Sequence, residues 1–300
     1  DGALDITCTP MDKASGFAGY DIVVMYGRGL FLDSLQTAEL QKAAAQGVKI
    51  FTSTSRNSGL APRHNLPPEV CDTLQLYFSN PCRANYVNLL RYLRHIAGHS
   101  SGYGAPVKLP TDMLYHLADG KYFKTPEELT AYLRKARLYN PGGRKVAFIS
   151  GLTFPVEGNR AHVDSLISKL TAAGYNVYPI SAKGDERARL LRETEPDAVV
   201  YLPMGRLGND SLINWCYDRQ IPLFMPFPLV ETREEWLDAE RPVSGGTLNA
   251  RVVVPEIDGA TAPLCISTQN AGREGYVSHT PEPERIDAFV EQLDRFMRLR

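Results

Sequence analysis

Two carboxylates one residue apart, Glu256 and Asp258, are the side chains whose types and spacing best suit acid–base or metal chemistry. They follow the run Arg251-Val252-Val253-Val254-Pro255 and precede Gly259. The β-branched residues predict a buried strand, and the proline and glycine predict a tight turn at its end. Because ligands in α/β domains bind beyond the carboxyl ends of strands, two interpretations stay open, a solvated turn and a ligand site.

Polar residues also occur at other predicted junctions. Asn159 precedes a predicted helix, where backbone N–H groups face a ligand or simply cap the helix. Glu231 follows a proline-rich turn and, taken alone, is an ordinary surface carboxylate. His116 lies beside a glycine-containing loop and His162 lies in the first turn of a helix; each is interpreted as a satisfied or exposed histidine rather than a ligand.

The composition bounds the classes of protein that are compatible with the chain. Its net charge of −1 provides no basic field for nucleic acid. No apolar run approaches the ~20 residues that span a bilayer, so we expect no membrane span. The chain starts at Asp1 without methionine and ends at Arg300 directly on a strong helix. We therefore expect a piece of a longer protein, or a processed one.

The five scattered cysteines show no zinc-ligand spacing. They predict reduced, mostly buried thiols, with a bridge between Cys71 and Cys82 as the alternative in an oxidising space. The sequence has no P-loop, and its GxG after the first strand lacks a third glycine. We therefore predict no nucleotide site in this chain.

The alternation of apolar runs and amphipathic stretches predicts the fold class. Strands over 21–26 and 48–51 flank a helix over 34–46, which is a βαβ unit. Beyond 140–143, five strands alternate with helices, and the final helix covers about 282–299. We predict two α/β lobes with parallel, doubly wound sheets, Rossmann-like or periplasmic-binding-protein-like. The expected domains are an N-terminal lobe over 1–100, a linker with a helix over 101–143, and a C-terminal domain over 144–300.

Several motifs, in a fixed order, are similar to those of a known family. They are LYH at 114–116, GN through GYNV at 158–177, PFPLVETREEW at 226–236, VVVPEIDG at 252–259, TAP at 261–263 and AGR at 271–273. In this order they resemble the large subunit of class I metal chelatases, namely the CobN cobaltochelatase family and, more distantly, the porphyrin-binding subunit of magnesium chelatase. The similarity is specific in the C-terminal half and diffuse in the N-terminal half.

The resemblance implies a tetrapyrrole-binding subunit that inserts or removes a divalent metal, with cobalt, magnesium and iron undecided. It implies separate AAA+ ATPase subunits as partners, which agrees with the missing P-loop. A cytoplasmic location is the family default, with a periplasmic or membrane-associated one open. Two departures, Leu117 in place of a usual proline and the run at 79–85 that keeps only Asn85, point to a divergent branch acting on haem-type or salvaged tetrapyrroles.

The resemblance also assigns roles to residues. Glu256 is expected to act as the base and the transient metal ligand. Asp258 would orient it, bind the incoming metal or form the turn, and partial burial of both carboxylates would raise one pKa. Arg273 would pair with a tetrapyrrole carboxylate. The remaining expected substrate-binding residues are Glu231, His116 and Asn159. The alternative is a non-catalytic tetrapyrrole-binding module of two α/β lobes, with the active site completed elsewhere in the longer protein.

Overall fold

The computed structural model divides the chain into two compact units, Asp1–Leu109 and Pro110–Arg300. The residues it describes are 4–27, 31–54, 64–99, 102–117, 121–150, 159–239, 243, 245–271 and 277–300. Among them, no helix combines the length and apolarity that crossing a membrane requires. All five cysteines are free: Cys8 is exposed, Cys71 and Cys82 are half-buried, and only Cys216 and Cys265 are buried, fewer than the sequence predicts.

The first unit contains the predicted βαβ arrangement. Its strands β1 (Ile22–Gly27) and β2 (Lys49–Thr54) are parallel neighbours, joined through helix α1 (Ser34–Ala45). A capping box fixes the start of α1, because Asp33 accepts from the Gln36 backbone and the Gln36 side chain accepts from the Asp33 backbone. Helices α2 (Pro68–Ser79) and α3 (Arg83–Ile96) follow, and two 3₁₀ turns, Met11–Lys13 and Phe17–Gly19, precede β1.

Asn85, the one residue retained from the family's run at 79–85, has a structural role. Its side chain is fully buried in α3. Nδ2 donates to Asn80 O at 2.7 Å and to Val107 O at 2.8 Å, and Oδ1 accepts from Val107 N at 2.8 Å. A buried amide with these partners ties the segment after α3 back to its start.

The second unit is built on a seven-stranded sheet and a three-stranded sheet. Its strands are β3 (Met113–His116), β4 (Lys121–Phe123), β5 (Lys145–Ser150), β6 (Asn176–Ser181), β7 (Ala198–Leu202), β8 (Leu223–Phe224), β9 (Phe227–Pro228), β10 (Ala260–Thr261), β11 (Cys265–Ala271) and β12 (Val277–Pro281). Its helices are α4 (Pro126–Lys135), α5 (Ala161–Ala172), α6 (Gly184–Thr194), α7 (Asp210–Asp218), α8 (Arg233–Asp238), α9 (Gly245–Leu248), the π-helix Asn249–Val253, α10 (Val254–Ile257) and α11 (Pro283–Arg298).

The large sheet has the order β10-β8-β7-β5-β6-β3-β4 and is parallel from β10 to β6. Its central strands are buried along nearly their whole length, as expected for a sheet covered on both faces. One face packs against α5 and α11, through residues such as Leu166 and Phe289. The other packs against α4, α6 and α7, through residues such as Leu129 and Leu191. The predicted doubly wound α/β class is confirmed.

The segment over 110–143 belongs to this sheet. Strand β3 pairs antiparallel with β6, and β4 pairs with β3, so both extend the sheet at its edge. Helix α4 follows Thr125, whose hydroxyl caps it, and buries Leu129 and Leu133 against the same sheet. Most of the linker predicted over 101–143, namely 110–143, therefore belongs to the second unit. The sequence does not reveal this, because β3 and β4 are short and lack a recognisable apolar run.

Two hydrogen-bonded asparagines, Asn140 and Asn176, fix the start of β5 and β6; we call them the asparagine pair. Asn176 Nδ2 donates to Asn140 O at 2.8 Å and to Gly143 O at 2.9 Å, and its Oδ1 accepts from Asn140 N at 2.9 Å. Asn140 Nδ2 in turn donates to Gly174 O at 2.8 Å. The turn before β5 and the turn before β6 are thus held together by side-chain amides.

We expect Gly143→Ala to destabilise the second unit by about 1–3 kcal/mol, the usual cost of overpacking. An added Cβ would collide with Gly174 O and lie 2.8 Å from Asn140 Nδ2. Gly142→Ala is the matched control, because its nearest neighbour, Asn140 Oδ1, is 3.9 Å away. Urea unfolding followed by tryptophan fluorescence measures the stability of both variants. Equal unfolding midpoints for the two would contradict close packing at the asparagine pair.

Candidate functional site

The strand predicted over Arg251–Val254 is wrong, because these residues lie in an irregular helix. This irregular helix comprises α9, the π-helix and α10, that is residues 245–257. The Val254 N–H donates to Asn249 O, five residues back. Pro255 has no N–H to continue that series, and the carbonyl left over, Ala250 O, accepts from Gly205 N at 2.7 Å. Such π-turns occur often at functional sites.

The loop that meets the irregular helix requires a glycine. Gly205 has φ +100°, a conformation that residues with a Cβ rarely adopt. This backbone lets its N–H reach Ala250 O and leaves the next residue, Arg206, facing the end of α10. The irregular helix is therefore anchored by the β7–α7 loop at two successive residues.

Asp258, directly after α10, has a nearly buried carboxylate that pairs with the partly exposed Arg206. Arg206 Nε donates to its two carboxylate oxygens at 2.9 and 3.0 Å, and Arg206 Nη2 approaches Oδ1 at 2.8 Å. The Asp258 side chain is 3% exposed, and Arg206 also pairs with Asp210 at 2.6 Å. These hydrogen bonds, Asp258 first, raise the pKa of Arg206. Burial, and then the Asp258 charge, raises the pKa of the Tyr201 hydroxyl.

Glu256 has the opposite environment. It lies in α10 on the exposed side, next to Ile257, which is 78% exposed. The two carboxylates therefore do not form the partly buried pair that the sequence pattern predicts. Glu256 is available to solvent and ligands, whereas Asp258 serves to fix the end of the helix.

A second group of polar side chains lies on one face of the small sheet β12-β11-β9. We call His162, His279, Arg251 and Ser267 the arginine–histidine cluster. The rings of His162 in α5 and His279 in β12 are 4.7 Å apart, with an interplanar angle of 47°. Gln269 pairs with His279, so Ser267, two residues before Gln269, shares that face. Arg251 extends inward from the π-helix and is only 5% exposed.

Each member of the arginine–histidine cluster carries a buried polar atom with no hydrogen-bond partner among the described residues: His162 Nδ1, His279 Nδ1, Arg251 Nη1 and Ser267 Oγ. Such atoms are rare in folded proteins, and each calls for an explanation. Burial, and then the charges of His279, Arg251 and Arg160, lowers the pKa of His162 to about 3. Burial and the Arg251 charge lower the pKa of His279.

Arg160 borders the cluster but has its own partners. It is 4% exposed, and its Nε donates to both oxygens of Asp164 at 3.0 Å. Its guanidinium also lies 5.3 Å from the ring centroid of Tyr115, at the end of β3. Its charge is therefore compensated. Arg251 has no ion pair within the described part of the chain; burial lowers its pKa, and the Glu231 charge acts in the opposite direction.

Two of the residues predicted as substrate-binding adjoin the cluster. Asn159 Oδ1 accepts from His279 N at 2.7 Å, and Asn159 Nδ2 donates to Val277 O at 3.4 Å, which brings the start of α5 against β12. Glu231 follows β9, and its carbonyl accepts from Gln269 N at 2.8 Å.

The other predicted residues lie elsewhere. His116 contacts Tyr132 of α4, with ring centroids 5.2 Å apart, on the face of the large sheet opposite Tyr115 and Arg160. Arg273 lies outside the described residues. Sequence reasoning sets His162 aside and misses His279 and the inward position of Arg251. No local pattern marks these residues, since only the fold brings them together.

The neutral state of His162 predicts a pH-dependent stability. The folded pKa of about 3 lies below the ordinary histidine value of 6.5, so between these values the unfolded chain binds more protons. The free energy of unfolding should therefore fall as pH falls below 6.5, by at most ~1.4 kcal/mol per pH unit for this residue. His162→Gln should reduce the slope between about pH 6.5 and 5, above the usual carboxylate range.

Urea unfolding at several pH values, followed by tryptophan fluorescence, measures this slope. Both tryptophans, Trp215 and Trp236, lie in the second unit, so the signal reports the unit that contains His162. His99→Gln, at an exposed position in the first unit, is the control and should keep the wild-type slope. Identical slopes for His162→Gln and wild type would contradict the prediction.

Comparison with known proteins identifies relatives across most of the chain. A family model described as CobN/Magnesium Chelatase matches residues 75–300. A magnesium-chelatase subunit of Chlorobaculum parvum is 25% identical over 242 residues, which cover 75% of this chain and 18% of that protein. The catalytic subunit of cobaltochelatase from Mycobacterium tuberculosis has a similar fold, with a TM-score of 0.65 and 19% identity over 96% of this chain and 25% of that one.

These relatives are much longer than the present chain, which spans 18% of the first and 25% of the second. The matched region nevertheless contains the irregular helix, Asp258 with Arg206, and the whole arginine–histidine cluster. The resemblance inferred from the ordered motifs is confirmed. This chain belongs to the CobN/magnesium chelatase family.

Proposed function

We propose that this chain is part of the large, tetrapyrrole-binding subunit of a class I metal chelatase, which inserts a divalent metal into a porphyrin or corrin-type macrocycle or removes it. The observation that carries the proposal is the family match over residues 75–300, since both candidate sites lie within it. The metal and the macrocycle are the substrates, with cobalt, magnesium and iron as alternatives for the metal.

The chemistry requires a proton acceptor and a metal ligand next to the macrocycle. Insertion exchanges one divalent cation for two pyrrole N–H protons, so net charge is conserved, and the metal must lose water as it enters. A carboxylate can accept a proton and can replace a metal-bound water. We assign both tasks to Glu256, because its side chain is exposed and makes no hydrogen bond or ion pair within the described residues.

Asp258 is assigned a positioning role. Its carboxylate is occupied by the Arg206 guanidinium, which leaves little capacity for a metal. The same contact and the Gly205–Ala250 hydrogen bond fix both ends of the turn that carries Glu256. Because the backbone of this turn is already fixed, placing the Glu256 carboxylate next to the substrate requires less loss of conformational entropy.

The partners and reaction class follow from the resemblance. We propose that separate AAA+ ATPase subunits supply the energy for insertion, which would make the complete enzyme a ligase. Support comes from the sequence, which has no P-loop. The alternatives for the macrocycle are a cobalamin precursor and a haem-type porphyrin.

The test is an assay of the full-length protein with its ATPase subunits. Metal insertion into, and removal from, a panel of porphyrins is followed by absorbance with cobalt, magnesium and iron, and binding is followed by quenching of tryptophan fluorescence. We expect saturable binding together with transfer of at least one metal. Binding without transfer of any metal would favour the non-catalytic module, and absence of binding would exclude both functions.

A further inference from the structure

We propose that the arginine–histidine cluster binds a carboxylate, with Arg251 as the charged partner and His162 and Ser267 as neutral donors. The inference rests on the proposed function, since it identifies the group bound as a carboxylate side chain of the tetrapyrrole. It assigns this role to a set of residues that excludes Arg273 and is separate from the Glu256 carboxylate.

The charge of Arg251 is uncompensated within the described residues. A buried cation is costly unless it is paired, because it loses its hydration. Arg251 is 5% exposed, and its Nη1 has no hydrogen-bond partner among the described residues. Glu231 favours the charged form by its field but forms no ion pair with it in the described part of the chain. An anionic ligand group would supply the missing partner.

The unpartnered hydrogen-bond donors of the cluster suit the acceptor sites of a carboxylate. His162 Nδ1 and Ser267 Oγ are buried and unpartnered within the described residues, and His279 Nδ1 is a third such atom. An ionised carboxylate accepts at about four lone-pair sites, and a guanidinium binds it in a bidentate manner. A neutral imidazole can donate one N–H, and a hydroxyl can donate another.

The surroundings of the cluster favour an anion over a metal ion. The charge of Arg251, which forms no ion pair within the described residues, raises the local positive potential and helps to keep His162 neutral. The described residues contain no group of three or more His, Cys, Asp or Glu side chains that could hold a metal. A cation would therefore meet repulsion and only two ligands, whereas an anion meets attraction and several donors.

The cluster lies close enough to the protein surface for a ligand group to approach it. His279 in β12 and Glu231 after β9 are only half-buried, so the cluster borders the protein surface on that side. A carboxylate on a flexible arm can reach the cluster while the remainder of the ligand stays outside. This arrangement suits the propionate-type side chain of a macrocycle better than a fully enclosed small molecule.

The probes are mesoporphyrin IX and its dimethyl ester, which differ in having and lacking carboxylates, titrated into the full-length protein. We expect wild type to bind the diacid about 10- to 100-fold more tightly than the diester, as for a charge-assisted hydrogen bond. Arg251→Met should reduce affinity for the diacid to that for the diester and leave diester binding unchanged. Arg251→Lys should lie between wild type and Arg251→Met, because it keeps the charge but not the bidentate geometry.

Arg219→Met, at an exposed position after α7, is the matched control and should retain the preference for the diacid. Free propionate provides the second arm, and it should raise the melting temperature of wild type but not of Arg251→Met. If Arg251→Met does not fold, the wild-type comparison of diacid with diester and the Arg251→Lys variant still decide the question.

The outcomes separate this inference from the proposed function. If wild type binds diacid and diester equally, or Arg251→Lys weakens both equally, the carboxylate site is overturned while tetrapyrrole binding stands. If neither porphyrin binds but propionate still stabilises wild type alone, the proposed function fails and the cluster takes a free carboxylate. If neither porphyrin binds and propionate has no effect, both are overturned.

Discussion

Glu256→Gln in the full-length protein is expected to slow metal transfer about 10²- to 10⁴-fold, the usual contribution of a general base. Glutamine has nearly the same size and keeps one oxygen acceptor, but it cannot take a pyrrole proton and is a weak ligand for a divalent cation. Tetrapyrrole affinity should be nearly unchanged, because the Glu256 side chain is exposed and makes no hydrogen bond or ion pair within the described residues. Initial rates and equilibrium titrations, measured on the same samples, separate the two effects.

The control for this variant is Glu234→Gln. Glu234 is also an exposed glutamate in the first turn of a short helix, and it lies in the motif at 226–236. Its substitution should leave both rate and affinity close to wild type. An unchanged rate for Glu256→Gln across the pH range, with tetrapyrrole still bound, would remove Glu256 from the mechanism.

Asn176→Asp is expected to lower the free energy of unfolding of the second unit by about 3 kcal/mol or more. The substitution removes the two hydrogen bonds that Nδ2 donates to Asn140 O and Gly143 O. It also places a negative charge against those carbonyls at a side chain that is almost fully buried. Each buried acceptor left without a donor costs about 1–3 kcal/mol, and burial of the charge adds to this.

The measurement is urea unfolding followed by tryptophan fluorescence at several pH values. The destabilisation should become smaller at low pH, because the introduced carboxyl group is neutral once protonated and can then donate one hydrogen bond. Asn270→Asp, at an exposed position with a single side-chain bond to Thr280, is the control and should change stability by less than about 1 kcal/mol. A loss of stability that does not change with pH would instead indicate that the asparagine pair tolerates the charge.

Much of the second unit can be predicted from the sequence because its signals are local. Strand β5 is a continuous apolar run, and α5 carries its apolar residues at helical spacing and ends before Gly174, whose φ of +93° requires glycine. The same local signals recur from β5 to β8, so the alternation of strands and helices can be recognised in the sequence. Strands β3, β4 and β12 are short or polar, and they are strands because of their neighbours.

The run at Arg251–Val254 misleads sequence-based prediction for a specific physical reason. Three valines in succession favour a strand on their own. Here the backbone is held in a helix by the Gly205–Ala250 hydrogen bond, and Pro255 makes that bond possible by leaving a carbonyl free. Both facts depend on a loop distant in sequence. The arginine–histidine cluster likewise depends on contacts distant in sequence, since Asn159 joins the start of α5, which carries His162, to β12, which carries His279.

The π-helix at Asn249–Val253 makes the length of this segment as important as its composition. A π-turn contains one residue more than an α-turn, so every residue after it is rotated by about 100° from where a regular helix would place it. Arg251 lies inside the π-turn and faces inward, whereas Glu256 follows the π-turn and is exposed, so the π-turn sets the direction of Glu256 relative to the rest of the unit. Deletion of one residue within the π-turn would restore the regular helical phase and rotate the Glu256 carboxylate by about 100° from its present direction, even with Arg251, Glu256 and Asp258 all retained. The segment should therefore accept substitutions at Val252 or Val253 far more readily than any insertion or deletion.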